Sequence, residues 1–188
     1  SDLLDTNVIT FRAWDESAGI NGNFADTAGA GTGTSPFSAA TDTSDIAVSA
    51  VNDAPVNSSA TGFSGETVAE GGTLTFDSTV NMNELTVNDV DITGDFRITL
   101  TVSDGTLTLA TTAGLSNLSG DGTATVVFDG TKAEVDAALD GLEYDPTAFF
   151  NGADLLTITT SDQGSNGSGG TLDRKSTRLN SSHQIISY

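Results

Sequence analysis

Apolar and polar residues alternate along most of this chain, with the period of strands rather than of helices. Phe96, Ile98, Leu100 and Val102 are separated by Arg97, Thr99 and Thr101, so the apolar set falls on one face of an extended segment. The same period runs through Ala124, Val126 and Phe128, through Leu156 to Thr160, and through Ile46, Val48 and Ala50. Shorter strands are predicted at Leu74 and Phe76, at Glu84 to Val87, and at Leu107 and Leu109. Residues 1–12 and 42–51 each read as a strand, joined by a long Gly/Ala/Thr/Ser connection. Ser103-Asp104-Gly105-Thr106 separates two alternating runs and predicts a hairpin. One stretch changes period: Thr131 and Glu134 form a capping-box pair, and Val135, Ala138, Leu139 and Leu142 then recur at helical spacing. A helix is predicted over 131–140, ended by Gly141. Leu142 and Tyr144 return to extended chain, and Asn151-Gly152 makes a turn.

One passage occurs twice. Val8-Ile9-Thr10-Phe11-Arg12-Ala13-Trp14-Asp15 and Leu155-Leu156-Thr157-Ile158-Thr159-Thr160-Ser161-Asp162 are both alternating strands that stop at an aspartate and open into a glycine-containing loop. Between them lies the junction Val51-Asn52-Asp53-Ala54-Pro55, where proline stiffens the chain. The expected organisation is therefore a piece of a tandem array. Residues 1–54 are read as the end of one repeat with its linker, and residues 55–172 as a second repeat. Short strands, frequent turn signals and one inserted helix predict an all-β fold, an immunoglobulin-like β-sandwich. The strand tryptophan and cysteine pair of antibody domains are absent, and Trp14, beside Asp15 at a strand end, reads as a local cap.

Residues 173–188 break from this pattern. Asp173-Arg174-Lys175-Ser176-Thr177-Arg178-Leu179-Asn180-Ser181-Ser182-His183 carries three of the six basic residues and the single histidine. Back-translated, it matches a short-read sequencing adapter, and Ile186-Ser187-Tyr188 matches the adapter's resumption after an index. The expectation is that 173–188 is an artefact outside the fold and disordered, leaving the second repeat without its last strand and with an open sheet edge.

The chain has 26 acidic against 6 basic side chains, a formal net charge of -20. Without 173–188 the balance is 25 to 3, a net of -22. Such a surface disfavours nucleic acid and anionic membranes, which need clustered Lys and Arg. Divalent cations are its natural counter-charge. No cysteine excludes a disulfide framework, and no apolar run approaches a membrane span.

Asp89-Val90-Asp91 is the sharpest candidate for chemistry. In extended chain the two carboxylates share a face and can reach one cation. An EF-hand reading fails, because the twelfth loop position is Leu100 and the flanks are strands. Loops at one end of a sandwich cluster, so Asp89, Asp91 and Asp162 could share a pole with Asp53. The donor set is all oxygen, which suits calcium and not zinc or copper.

These residues resemble the cadherin-like repeats of very large bacterial surface adhesins, over roughly residues 1–172. Val51-Asn52-Asp53-Ala54-Pro55 is similar to the cadherin interdomain linker, Val68-Ala69-Glu70-Gly71 to its early glutamate-glycine step, Asp89-Val90-Asp91 to its D-x-D, and Thr160-Ser161-Asp162-Gln163-Gly164 to its final aspartate loop. The resemblance implies that Asn52, Asp53, Asp89, Asp91 and Asp162 bind calcium between domains, with Asp15 and Glu70 serving neighbouring junctions. The acidic triplet of cadherins has no clean counterpart at Leu142-Glu143-Tyr144-Asp145, and the helix at 131–140 is foreign to it.

The expected function is a calcium-rigidified structural or adhesion repeat of an exported cell-surface protein. Its partners would be neighbouring repeats of the same chain, and a surface protein or glycan. The alternative is a carbohydrate-binding or accessory module of an exported enzyme, which needs an exposed aromatic platform. No enzyme activity is expected, since 1–172 holds no histidine, cysteine or nucleophile motif.

Overall fold

The computed structural model describes residues 7–18, 20, 23, 30, 35–46, 49–62, 65–164 and 168–183. They are predominantly strand, with a single helix among the described residues. The chain divides into two compact units, one ending at Ala50 and one beginning at Val51.

The first unit is an antiparallel hairpin of β1 (Asn7–Trp14) and β2 (Phe37–Ile46). β2 thus begins earlier than the expected 42–51, and residues 47–48 lie outside the described ones. Trp14 donates its indole N–H to Ala18 O at 2.8 Å.

The second unit holds the core. Its strands are β3 (Val56–Ser59), β4 (Glu66–Ala69), β5 (Leu74–Phe76), β6 (Leu85–Asn88), β7 (Phe96–Thr101), β8 (Thr106–Thr108), β9 (Ser116–Ser119), β10 (Thr125–Gly130), β11 (Leu142–Asp145), β12 (Ala153–Ser161) and β13 (Asp173–His183), with helix α1 (Lys132–Leu139) between β10 and β11. They form a six-stranded sheet in the order β4-β13-β12-β7-β10-β9, a three-stranded sheet β5-β11-β8, and the pair β3-β6. Strand alternation places Phe96, Ile98 and Leu100 of β7, Val126 and Phe128 of β10, and Leu156 and Ile158 of β12 in one buried cluster. Phe76, Leu107, Leu142 and Tyr144 of the three-stranded sheet, Leu85 and Val87 of β6, and Val135, Ala138 and Leu139 of α1 belong to the same cluster. The helix starts as its sequence requires: Glu134 accepts from the Thr131 N–H at 2.9 Å and from its hydroxyl at 2.7 Å.

Two expectations are corrected. Asp104-Gly105 makes no hairpin, because β7 pairs with β10 and β12 while β8 pairs with β11. The chain turns a corner from one sheet to another here. The Asp154 carboxylate takes the Ser103 and Asp104 N–H groups at 2.9 and 3.1 Å, and the Thr147 hydroxyl takes that of Gly105 at 3.2 Å. The corner's donors are thereby satisfied without a tight turn.

The second correction concerns 173–183, expected to be disordered. Their backbone forms β13, antiparallel to β12 over nine residue pairs and parallel to β4 over Asn180–His183. The slot expected to stand open is filled. Pairing of this kind needs only extended backbone with free N–H and C=O groups, which almost any proline-free segment supplies. Filling the slot therefore marks where a last strand belongs without identifying the origin of the residues in it. Residues 184–188 lie outside the described ones.

Candidate metal centre

Five of the sequence-predicted residues belong to the second unit's pole where β12 ends. Val51 bridges to Ser168, and the Asn52 N–H donates to Ser168 O at 3.1 Å, so the junction segment is pinned beside the loop that follows Asp162. Asp162 organises that loop. Its Oδ1 accepts from the N–H groups of Gly164 and Leu172, each at 2.8 Å, while its own N–H donates to Leu172 O at 3.2 Å. Burial alone would raise its carboxyl, but the Leu172 and Gly164 N–H groups and the Asn52 amide hold it below the usual carboxylate range.

Asn52 is 5% exposed. Its Nδ2 donates to Asp162 Oδ2 and, at 2.8 Å, to Gly170 O. Both partners are acceptors, which fixes the amide orientation and leaves Asn52 Oδ1 pointing elsewhere, buried and without a donor. Asp89, 9% exposed, and Asp91 follow β6. The Asp91 N–H donates to Asp89 Oδ1 at 3.2 Å, and the Asp53 N–H donates to Asp91 Oδ2 at 3.3 Å. Asp89 Oδ2 and Asp91 Oδ1 are, like Asn52 Oδ1, buried without a donor. Burial pushes the Asp89 carboxyl up to about 6, helped by the Asp91 carboxylate and by the charge of Asp162.

The structure thus gathers Asn52, Asp89, Asp91 and Asp162, and joins Asp53 to them through its backbone N–H. It separates their roles. Asp162 is engaged by three donors and acts as a latch that aims the Asn52 amide. Among the described residues no three Asp, Glu or His side chains are arranged to hold a metal as they stand. The oxygens lacking a donor at this pole come from two carboxylates and one amide, hard donors of the kind that calcium takes. Glu70 follows β4, whose last residue pairs with His183 at the far end of β13. It lies at the opposite pole, about 30 Å away by the length of β12.

Asp15 belongs to the first unit and repeats the latch geometry. Its Oδ1 accepts from the Ser17 N–H at 2.8 Å, and its own N–H donates across the hairpin to Pro36 O at 3.0 Å. Asp162 does the same with Gly164 and Leu172. The repeated passage is therefore alike in hydrogen bonding as well as in pattern.

Many of the other carboxylates fasten loops. Asp77 accepts from the N–H groups of Thr79, Val80 and Asn81, Asp121 from that of Leu109, and Asp140 from Ser78. Asp129 takes Arg97 through two hydrogen bonds at 2.8 and 2.9 Å. Sequence reading missed the backbone partners Gly164, Gly170 and Leu172, whose only sign is the glycine-rich composition after Asp162. Asn57 is buried, accepts from the Thr160 hydroxyl at 2.6 Å and donates to Arg174 O at 3.1 Å. No family model, curated protein or solved structure matches this chain.

Proposed function

We propose that this chain is a calcium-stiffened, non-catalytic structural or adhesion repeat of an exported cell-surface protein, with cadherin-like β-sandwich character. The observation that carries the reading is the trio of buried oxygens without donors, Asn52 Oδ1, Asp89 Oδ2 and Asp91 Oδ1, at the pole where the Asn52-Asp53-Ala54-Pro55 junction enters. Leaving such oxygens buried and unpaired is costly unless a cation takes them. In the proposed mechanism Asp89 and Asp91 repel each other without metal, and Asp89 keeps a proton up to about pH 6 instead. A calcium ion would be held by Asn52 Oδ1, Asp89 Oδ2 and Asp91 Oδ1, with the Asp53 carboxylate and water completing its usual 6 to 8 ligands, and would supply the positive charge that lets Asp89 and Asp91 stay ionised side by side at the junction. Asp162 serves by orienting Asn52. Asp15 and Glu70 would act at neighbouring junctions.

Calorimetric titration with calcium, paired with small-angle scattering, tests this. Binding in the range of about 0.1–1 mM and a more extended, less variable shape are expected, as is usual for extracellular sites. No heat and an unchanged scattering curve at roughly 10-fold higher calcium would refute the reading.

A further inference from the structure

The slot beside β12 is filled, yet the strand in it satisfies only one of the slot's two demands. The first demand is on the main chain. β13 pairs along β12 and along β4, and two side chains add to that ladder. Asn57 of β3 is buried, and its Oδ1 accepts from the Thr160 hydroxyl, which turns Nδ2 toward the two strands. There it donates to Arg174 O at 3.1 Å and to Ile158 O at 3.4 Å. Where the strand enters, Asp162 Oδ1 accepts the Leu172 N–H at 2.8 Å. All of these contacts are made to backbone atoms, so any extended segment without proline at a ladder position can make them.

The second demand is on side chains. Residues paired directly across neighbouring strands share a face, so the register fixes which positions of β13 fall on the core face. The positions paired with the buried Ile158, Leu156 and Val68 are Ser176, Arg178 and Ser182. All three are polar. On the other side of β12 the same row is apolar, with Leu100 of β7 paired to Ile158 and fully buried. We propose that the slot between β12 and β4 is a strand-binding site whose fitting occupant is an extended, proline-free segment with apolar side chains at these three positions. That segment runs antiparallel to β12 and is held through its main chain by Asn57 and Asp162. Residues 173–183 meet the backbone demand alone, which leaves the slot open to competition from a segment that meets both. No cation enters this proposal, so it stands apart from the calcium reading.

Two measurements on the full chain test it. Ser176→Val with Arg178→Val should raise the melting temperature by about 5–10 °C, whereas Lys175→Val with Thr177→Val, at the alternate positions, should move it by less than about 2 °C. Binding is then read by fluorescence anisotropy on the chain carrying Ser176→Pro, which unseats its own strand. The probes are a labelled peptide of residues 171–183 and the same peptide with valine at positions 176 and 178. The valine peptide should bind roughly tenfold tighter or more, and more weakly to the unsubstituted chain, where the resident strand competes. Adding Asn57→Ala to the proline chain should weaken both peptides by a similar factor, as a main-chain grip requires. The proposal is overturned by a valine pair that stabilises no more than its control, by equal binding of the two peptides, or by no binding of either at about 1 mM. Weakening of one peptide alone by Asn57→Ala would also overturn it, since Asn57 would then be reading side chains.

Discussion

Asp89 is the carboxylic acid that burial and its acidic neighbours push upward among the described residues, to about 6, and this has a pH signature. In the unfolded chain the group titrates near 3.8. Between those values the folded unit holds a proton that the unfolded chain has released, so the stability this group costs is full above about pH 6 and is relieved as pH falls toward 4. Asp129, held down by Arg97, and Asp162 act in the opposite sense, losing their stabilisation as pH falls. The informative quantity is therefore the difference between native chain and Asp89→Asn. In chelator the variant should melt higher at about pH 7–8, with the gap closing toward pH 4; a gap that ignores pH would place the cost of Asp89 elsewhere. The same variant should abolish the calcium response. Asp154 makes a contrasting case, because its carboxylate accepts from Ser103, Asp104 and Leu155 N–H groups and from the Tyr144 hydroxyl at 2.9 Å. Burial and that carboxylate push the Tyr144 hydroxyl above its ordinary range. Asp154→Ala should destabilise the unit by about 3 kcal/mol, and Tyr144→Phe by about 1 kcal/mol, as read by denaturant melts.

At the scale of elements, alternation makes the central strands and the helix legible, because burial follows side-chain period directly. The Asp104-Gly105 dipeptide misleads for a physical reason: it reports that the chain turns, not which strand receives it. What decides the outcome is Asp154, fifty residues away in sequence, and local propensity carries no trace of it. Gly105 is required by the corner, with φ 81°, and a Cβ at this position would sit only 2.2 Å from Asp145 O. Gly105→Ala should therefore cost about 2–4 kcal/mol. Residues of the candidate site are legible for a similar reason in reverse, since Asp89-Val90-Asp91 is local, although the two carboxylates meet at the bend after β6, where the Asp91 N–H donates to Asp89 Oδ1, and not in the extended strand the sequence suggests. The latch through Gly164, Gly170 and Leu172 is not, because backbone partners have no side-chain signature. The composition break at Asp173 is equally plain in sequence, but backbone pairing is blind to it. Ser176 pairs with Ile158, so Ser176→Pro should disrupt β13 and lower the melting temperature on the order of 5 °C, measured by circular dichroism. An unchanged melt would mean that the slot beside β12 contributes nothing to stability.

For the whole molecule the governing quantity is its charge. A net of -20 spread over 188 residues resists compaction, yet many of the carboxylates are committed to N–H groups at loop ends, where each is locally matched. At the pole with Asn52, Asp89 and Asp91 three buried oxygens stand without donors, whereas the one on Asp136 belongs to a carboxylate already paired with Lys132. General screening and specific binding therefore make different demands. Sodium chloride relieves repulsion over the whole surface but supplies no ligand geometry, whereas calcium at equal ionic strength should act at this pole alone. With a dissociation constant of about 0.1–1 mM, 10 mM calcium would stabilise the second unit by roughly 1.4–2.7 kcal/mol, a rise in melting temperature of several degrees. Magnesium should do less, because it keeps its own water and demands a stricter octahedron than two carboxylates and an amide offer. Asn52→Ala removes one of the three oxygens and unlatches Asp162, and should reduce the calcium shift while leaving the salt response intact. Equal shifts with calcium, magnesium and ionic-strength-matched sodium chloride would reduce the pole to ordinary charge screening.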